Sequence, residues 1–284
     1  MIKFSICIIT YNEELNISRC LENIYDISDD IIIIDSYSTD KTVELAKKYK
    51  NVRIYKNCWP GYSKQRNLAN SKAKYDWIFQ LDIDEFIPDD LKEELKNIDS
   101  MAEFVGYNVP CLDFFYGRWI KHGDWYPQYH TRLYNKKILH MDGEILVHEK
   151  LIPHNNQKYK IGTLKSPHLH FSHITVNDTL EGFKKYTNLD SYERINKISS
   201  RSYWIIFIKM CVNMSKQFFG RYFIKKGLLD GWHGFYIACM MAWYEFMIHI
   251  KLFTLRYYQK NKHKINELGD EHNIDLSFYD KTKK

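Results

Sequence analysis

Apolar and polar residues in the first part of the chain follow the pattern of strands that alternate with helices. Four short apolar runs, at residues 4–9, 31–34, 52–55 and 77–81, have the length and the β-branched or aromatic content of buried strands. Between these runs, apolar residues recur at helical spacing or follow polar residues that favour helix N-termini. The alternation predicts an α/β fold, with an open, mostly parallel sheet that carries helices on both faces.

The pattern changes twice further along the chain. Residues 104–173 are rich in aromatic residues, histidine, glycine and proline, with short strand-like pieces, which is typical of loops laid over a binding site. From residue 177 onward the pattern is that of long helices with many aromatic residues. We therefore expect two units, a sheet domain at residues 1–176 and a helical region at residues 177–284.

Two apolar stretches of the helical region raise the question of membrane contact. Residues 203–219 contain Lys209 and Lys216, and residues 232–253 contain Glu245. A membrane span needs about twenty apolar residues with few charges, so neither stretch predicts a span. Aromatic residues mixed with lysine and arginine favour helices that lie in the membrane interface, and we expect peripheral attachment. The alternative is a helical appendage that packs on the sheet domain or on a second subunit of a homo-oligomer.

Composition narrows the partners only slightly. The 284 residues carry a formal net charge of +6, which suits an anionic partner such as a phosphate ligand or a lipid headgroup. Basic residues are spread among acidic ones, which argues against a nucleic-acid-binding protein. The six cysteines form no close pair and the N-terminus lacks the pattern of a signal peptide, so we expect a cytoplasmic protein.

Polar residues follow three of the four predicted strands. In an open α/β sheet, ligands bind beyond the carboxyl ends of the strands, so these three clusters would meet at one crevice. Turns and helix caps favour the same residue types, an explanation that suits one cluster better than three together. The clusters comprise Thr10, Tyr11, Asn12 and Glu13, then Asp35, Ser36 and Ser38, then Asp82, Asp84 and Glu85.

The third cluster has the composition of a site for a hard cation. Asp82 and Asp84 are two residues apart, so on an extended segment both carboxylates face the same side. Their mutual repulsion is costly unless a cation lies nearby, and Mg²⁺ or Mn²⁺ prefers carboxylates together with substrate phosphates. No glycine-rich phosphate loop occurs in the sequence, which argues against kinases, P-loop enzymes and nicotinamide-dependent dehydrogenases.

Four segments in this order resemble the family 2 glycosyltransferases of the GT-A fold. The segments are IITYNEE at residues 8–14, IDSYSTDKT at 34–42, KQRNLA at 64–69 and LDIDE at 81–85. The middle of the chain also resembles bacterial lipopolysaccharide-core glucosyltransferases of this family, in WYP at 125–127, RLY at 132–134 and VHE at 147–149. Tyr37 is a departure, because many relatives have glycine there.

The resemblance implies a nucleotide pocket at the ends of the first two strands, within a GT-A nucleotide-sugar-binding and catalytic domain at residues 1–176. Asp35 would accept hydrogen bonds from the base, which is most often uracil in this family. The other residues expected around the nucleotide are Thr10, Tyr11, Asn12, Glu13, Ser36 and Ser38.

The resemblance also assigns the diphosphate and metal contacts. Arg66 and Lys64, with Asn67 in the same segment, would contact the base or the diphosphate. Asp82 would touch the ribose or the donor sugar close to the metal, and Asp84 would bind the metal directly.

Two further residues of the middle region have side chains suited to the same ligands. Arg132 could bind the diphosphate through two hydrogen bonds. His168, His170 and His173 are closely spaced, and His170 could supply another metal ligand or contact the phosphates. The alternative is that these histidines are structural, since lone histidines more often are.

An inverting transfer needs a carboxylate that takes the proton from the attacking acceptor hydroxyl. Glu149, which lies after the sheet in the aromatic middle region, is the candidate base, and the alternative is a surface glutamate. Glu85 is the second candidate, although its place directly after the metal cluster also suits a supporting role.

The sequence thus predicts an inverting, metal-dependent glycosyltransferase. It would move a hexose, most simply glucose, from a UDP-sugar to a saccharide or lipid-linked saccharide acceptor at the cytoplasmic face of the membrane. The expected process is synthesis of the lipopolysaccharide or lipooligosaccharide core, or of another surface glycan. The alternative is a non-catalytic nucleotide-sugar or glycan-binding module, which would be expected to lose acidic residues such as Asp35, Asp82 and Asp84, all of which are present.

Overall fold

The computed structural model consists of a sheet-based N-terminal part and a helical C-terminal part. It describes residues 2–99, 103–143, 150–155, 158–173, 175–198 and 202–271.

The first four predicted strands all form, and they pair in parallel. They are β1 (Phe4–Thr10), β2 (Ile31–Asp35), β3 (Val52–Lys56) and β4 (Trp77–Gln80), in the order β3-β2-β1-β4. The helices that connect them are α1 (Ile17–Ile24), α2 (Thr42–Ala46) and α3 (Tyr62–Lys72). The predicted α/β fold is confirmed, and the carboxyl ends of β1, β2 and β4 lie at one edge of the sheet.

The central strand β2 shows why this sequence forms a buried sheet. Ile31 and Ile33 belong to one hydrophobic cluster, and Ile32 and Ile34 belong to the cluster on the other side of the sheet. Successive side chains of a strand point to opposite faces, so a run of four isoleucines can be buried only where both faces are covered.

The rest of the sheet is mixed rather than parallel. Strand β8 (Gln128–Asn135) pairs antiparallel with both β4 and β6 (Phe104–Phe115). Beyond β6, the sheet continues with β12 (His168–His173), parallel to β6, and β5 (Glu85–Phe86), antiparallel to β12. The middle region, for which only short strand-like pieces were predicted, therefore contains a strand of twelve residues that organises the second half of the sheet. The remaining elements are α4 (Asp89–Lys96), β7 (Arg118–Trp119), β9 (Leu139–Met141), β10 (Leu151–Pro153) and β11 (Lys160–Thr163).

The C-terminal part is helical from Val176 onward. It contains α5 (Val176–Ile198), α6 (Tyr203–Ser215), a π-helical segment (Lys216–Ile224), a 3₁₀ turn (Gly227–Asp230) and α7 (Trp232–Glu271). Among the described residues, none of the helices combines the length and the apolar content that crossing a membrane requires. The predicted domain boundary between residues 176 and 177 stays a prediction. It lies at the start of α5, which begins at Val176.

A buried glutamate holds the helices together. Glu245 on α7 accepts hydrogen bonds from Arg194 on α5, at 3.2 Å, and from Asn213 on α6, at 3.3 Å. This carboxylate is the charge that interrupts the apolar stretch of residues 232–253. Its burial between three helices explains the interruption without any contact with lipid.

The helical part is also fastened to the sheet part. The Asp230 carboxylate accepts hydrogen bonds from the backbone N–H groups of Lys121 and His122, at 3.2 and 2.8 Å. Its other oxygen lies 3.0 Å from His122 Nδ1. Tyr116, which precedes β7, also packs edge to face with Tyr236 of α7. These contacts fix the helices to the segments on either side of β7.

Candidate active site

The loops after β1 and β2 are joined by a ladder of hydrogen bonds. Asn12 N donates to Ser38 Oγ at 2.9 Å, and Thr39 N donates to Asn12 Oδ1 at 2.9 Å. Glu13 N donates to Thr42 Oγ1 at 2.7 Å. Two of the three predicted polar clusters therefore form one rigid wall beyond the ends of β1 and β2.

Asp35 and Tyr37 shape the turn of that wall. Asp35 is fully buried, and its two carboxylate oxygens accept hydrogen bonds from the backbone N–H and the hydroxyl of Ser38. Tyr37 has a φ of 62°, in the left-handed region that glycine adopts without strain. The backbone thus explains why glycine suits this position in related sequences. The contact of Asp35 with a base stays a prediction, because its carboxylate supports the turn here.

Asp82 lies between two arginines. Arg66 Nη2 donates to Asp82 Oδ1 at 2.7 Å, and Arg132 Nη2 donates to Oδ2 at 3.2 Å. Burial raises the pKa of Asp82, but the two guanidinium groups outweigh it and hold the pKa below its usual range. Arg66 on α3 and Arg132 on β8, two predicted diphosphate contacts, therefore meet at Asp82, the predicted contact of the donor sugar.

Glu85 is buried at the bottom of the site. Its carboxylate accepts a hydrogen bond from Asp82 N at 3.0 Å, binds Arg132 and lies 3.2 Å from His168 Nε2. Burial raises the pKa of Glu85, yet Arg132 and His168 hold it well below its usual range. A carboxylate that is buried, paired and ionised in this way is suited to support the loop rather than to take a proton from an acceptor. Its catalytic role nevertheless stays a prediction.

Asp84 and His170 face each other across the same crevice. Asp84 Oδ2 lies 3.4 Å from His170 Nε2, while His170 Nδ1 lies 2.7 Å from Asp113 Oδ1. Burial lowers the pKa of His170, but the contacts with Asp113 and Asp84 raise it well above its usual range. An imidazole held by a carboxylate through one nitrogen and open toward a second carboxylate through the other is a common arrangement around protein-bound metals.

A cysteine completes the surroundings of His170. Cys111, Asp113 and His170 each offer one ligand atom, and these atoms lie within 4.8 Å of one another. Burial raises the pKa of Cys111, but His130, His168 and His170 outweigh it and lower the pKa to about 6. The described residues therefore place a carboxylate, an imidazole and a cysteine sulfur close together.

The sequence analysis did not single out Asp113 or Cys111. They occupy alternate positions on β6, as His168 and His170 do on β12, and the parallel register pairs His168 with Cys111 and His170 with Asp113. The alternation on each strand is visible in the sequence. The pairing of the two strands is not, because Asp113 and His170 are 57 positions apart in the sequence and meet only through tertiary folding.

Other predicted residues occupy less central positions. Lys64 is exposed on α3, and the side-chain amide of Asn67 bonds the backbone of Met141 through both its nitrogen and its oxygen. Tyr11 is also exposed at the rim of the wall formed by the first two loops. Glu149, the predicted base, lies outside the described residues. The ligand contacts of these four residues stay predictions.

A cavity of about 300 Å³ opens beside the two arginines. Arg66, Arg132, His130 and Lys150 are among the residues that line it, and none of the described lining residues is acidic. Clustered cationic groups of this kind favour an anionic ligand such as a phosphate.

Comparison with known proteins shows similarity to glycosyltransferases. The sequence profile described as Glycosyl transferase family 2 matches residues 5–148, just over half of the chain. A glycosyltransferase from Rickettsia bellii is 28% identical over 264 residues, which cover 88% of this chain and 86% of the relative. The lipopolysaccharide core biosynthesis glycosyltransferase LpsC of Rhizobium meliloti is 27% identical over 254 residues, with 87% and 90% covered.

A solved structure shares the fold over most of the chain. The mannosyltransferase PcManGT from Pyrobaculum calidifontis, in complex with GDP-Man and Mn²⁺, superposes with a TM-score of 0.55 at 14% identity. The match covers 88% of this chain and 87% of that one. Because the matched family profile covers more than half of the chain, including Arg66, Asp82 and Arg132, the chain belongs to glycosyltransferase family 2.

Proposed function

We propose that this protein is an inverting, metal-dependent hexosyltransferase that uses a UDP-sugar, with glucose as the expected hexose. The acceptor would be a saccharide of the lipopolysaccharide core or of another surface glycan. The observation that carries the proposal is the arrangement of Asp84 Oδ2 and His170 Nε2, 3.4 Å apart and next to an aspartate held by two arginines.

The residues present fit a divalent cation. Asp84 and His170 would hold Mn²⁺ or Mg²⁺, with Asp82 nearby, because oxygen and imidazole ligands suit Mn²⁺ and a carboxylate with substrate phosphates suits Mg²⁺. When bound, the ion would offset the negative charge that develops on the leaving diphosphate. Asp113 would keep Nε2 of His170 directed at the ion by bonding Nδ1 at 2.7 Å.

The two arginines would bind and orient the donor. Arg66 and Arg132 both contact Asp82 and both line the cavity, so their guanidinium groups are placed to attract an anionic group there. Thr10 to Glu13 and the turn that Asp35 supports would form the nucleotide side of the crevice. A wall fixed by backbone and side-chain hydrogen bonds lowers the entropic cost of holding the donor in one orientation.

The proton of the acceptor hydroxyl would go to Glu149. The hydroxyl oxygen would attack the sugar carbon from the face opposite the diphosphate, which inverts that carbon. Support comes from the sequence resemblance around residues 147–149 and from the state of Glu85, whose carboxylate is already paired with Arg132 and His168.

The place of action would be the cytoplasmic membrane surface, with a saccharide or lipid-linked saccharide as acceptor. The similarity to LpsC covers most of the chain, and its name, which refers to lipopolysaccharide core biosynthesis, supports a saccharide acceptor of that kind.

A panel of nucleotide sugars tests the donor. We expect UDP-glucose with Mn²⁺ or Mg²⁺ to raise the unfolding temperature and to be slowly hydrolysed, and GDP-mannose to serve as the contrasting donor. Absence of any response to UDP-sugars with either metal would contradict the donor assignment. Stabilisation without hydrolysis or transfer, in the presence of oligosaccharide acceptors, would favour a non-catalytic binding module.

Two substitutions separate metal binding from proton transfer. Asp84→Ala should abolish the metal-dependent part of donor binding and lower transfer on the order of a thousandfold, because several kcal/mol of charge stabilisation are lost. Glu149→Gln should leave donor binding intact and remove transfer. Unchanged turnover in Glu149→Gln would assign the base to another residue.

A further inference from the structure

The surface of residues 204–235, which we call the apolar platform, exposes an unusual amount of hydrophobic side chain. Twelve of the twenty-six exposed large hydrophobic residues in the described part of the chain lie in this stretch. Trp204 is 74% exposed, Ile224 is 77% exposed and Trp232 is 60% exposed. Isolated exposed apolar residues are normal in soluble proteins, but a concentration of this kind marks a surface that contacts something else.

The helix α6 shows that the exposure follows a face. Ile206 and Met210 are buried against the other helices, while Trp204, Ile208 and Val212 are exposed at four-residue spacing. Residues at that spacing lie on one side of a helix, so the outward side of α6 is apolar as well. A helix at a water-exposed surface ordinarily carries polar residues there.

The charged residues that this stretch itself contributes, up to residue 229, are all basic. Residues 202–229 contain five basic residues and no acidic one. The next acidic residue along the chain, Asp230, is buried and hydrogen-bonded to His122. Asp124, from the connection that leads into β8, lies 3.3 Å from Lys225 and offsets that one charge. The five basic residues are Lys209, Lys216, Arg221, Lys225 and Lys226.

We propose that the apolar platform binds the surface of an anionic lipid bilayer, with its aromatic and aliphatic side chains in the interface and its lysines at the headgroups. Exposed tryptophan and phenylalanine next to lysine is the composition of interfacial segments, and each lysine near an anionic surface adds attraction. A second copy of the chain fits this surface less well, because a symmetric contact would bring two sets of like charges together.

The platform is fixed to the sheet part near the active site. Gly123 N donates to Lys225 O at 2.8 Å, and Arg221 Nη1 donates to Gly123 O at 2.9 Å. Gly123 belongs to the connection that leads into β8, the strand that carries Arg132. Binding to lipid would therefore set the orientation of the crevice relative to the membrane. This deepens the proposed function, because a lipid-linked acceptor would be presented at the same surface.

Co-sedimentation of the full chain with vesicles tests the proposal. We expect stronger binding to phosphatidylcholine vesicles that contain about one-third phosphatidylglycerol than to phosphatidylcholine alone, and weaker binding at high salt. Replacing Lys209, Lys216 and Lys226 together by glutamate should weaken binding to the anionic vesicles on the order of a hundredfold. Replacing Trp204, Ile208 and Ile224 together by serine should reduce binding to both kinds of vesicle.

The matched control makes the same change of charge at three lysines outside the platform. Lys47, Lys48 and Lys50 are exposed on the sheet part, and replacing all three by glutamate should alter vesicle binding less than about threefold. Thermal unfolding of every variant shows whether it is folded, and thermal stabilisation by UDP-sugar without vesicles reports the donor site separately. If the wild type does not bind UDP-sugar but does bind vesicles, the proposed function is contradicted and the platform proposal stands.

Three results would overturn the proposal. The first is wild-type binding no greater than sedimentation without vesicles, and the second is an equal loss of binding in the control variant. The third is a wild-type dimer by light scattering that the serine variant converts to a monomer without any effect of vesicles. That outcome would identify the platform as an interface between two copies of the chain.

Discussion

The active-site crevice and the apolar platform distribute charged and apolar groups in opposite ways. In the crevice, Arg132 and Glu85 are largely withdrawn from water and paired, while the isoleucines of β2 fill the core of the sheet part. On the platform, tryptophan, phenylalanine and isoleucine face outward among basic residues, of which Lys225 is paired with Asp124, while Asp230 is buried. The difference indicates that the sheet part is organised around a ligand, whereas part of the helical surface is organised for contact with a larger partner.

The buried pair gives the largest expected effect on stability. Glu85→Ala leaves Arg132 and His168 without their buried carboxylate, so the free energy of unfolding should fall by about 3–5 kcal/mol. Denaturant unfolding measures this change. Glu181→Ala, at an exposed position on α5, is the control and should change the free energy by less than about 0.5 kcal/mol. A similar small change in both variants would show that the buried pair does not hold the site together.

Replacing an isoleucine by alanine should cost much more unfolding free energy in the sheet core than on the platform. Ile33→Ala opens a cavity between the sheet and its covering helices and should cost about 2–5 kcal/mol of unfolding free energy. Ile224→Ala removes a side chain that is already in water and should cost less than about 0.5 kcal/mol. Equal costs would mean that Ile224 is packed in solution and would weaken the case for the platform.

A smaller effect is expected from the carboxylate behind His170. Asp113→Asn keeps the size of the side chain but removes its charge, so Mn²⁺ affinity, measured by calorimetry, should fall about 10–100-fold. Donor binding without metal and thermal stability should change little. Asp113→Glu, which restores the charge, should recover part of the affinity. Unchanged Mn²⁺ affinity in Asp113→Asn would assign Asp113 a role unrelated to the metal.

Local patterns were sufficient to predict the first half of the sheet. The strands β1 to β4 and the acidic residues that follow three of them depend on short apolar runs and on turn chemistry, which are visible within a few residues. The family assignment from the same segments is confirmed by the profile that matches residues 5–148. The antiparallel β8 and the long β6 were not predicted, because their pairing depends on partners distant in sequence.

The candidate site shows the same limit in its side chains. Asp82 and Asp84 are two residues apart and were recognised together, and Arg66, Arg132 and His170 were proposed one at a time. Their meeting at one crevice, and the bond between Asp113 and His170, arise only where β6, β8 and β12 lie side by side.

By itself, the sequence determined the alternation of strands and helices, the acidic clusters at the strand ends and the family, because each is encoded by neighbouring residues. Only the tertiary structure decided which apolar residues of the helical part face water. Apolar residues of the stretch 203–219 occur on every side of the helix, and helix packing buries Ile206 and Met210 while leaving Trp204 and Ile208 exposed. Burial of a residue depends on what packs against it, and for these helices the packing partners come from distant parts of the chain.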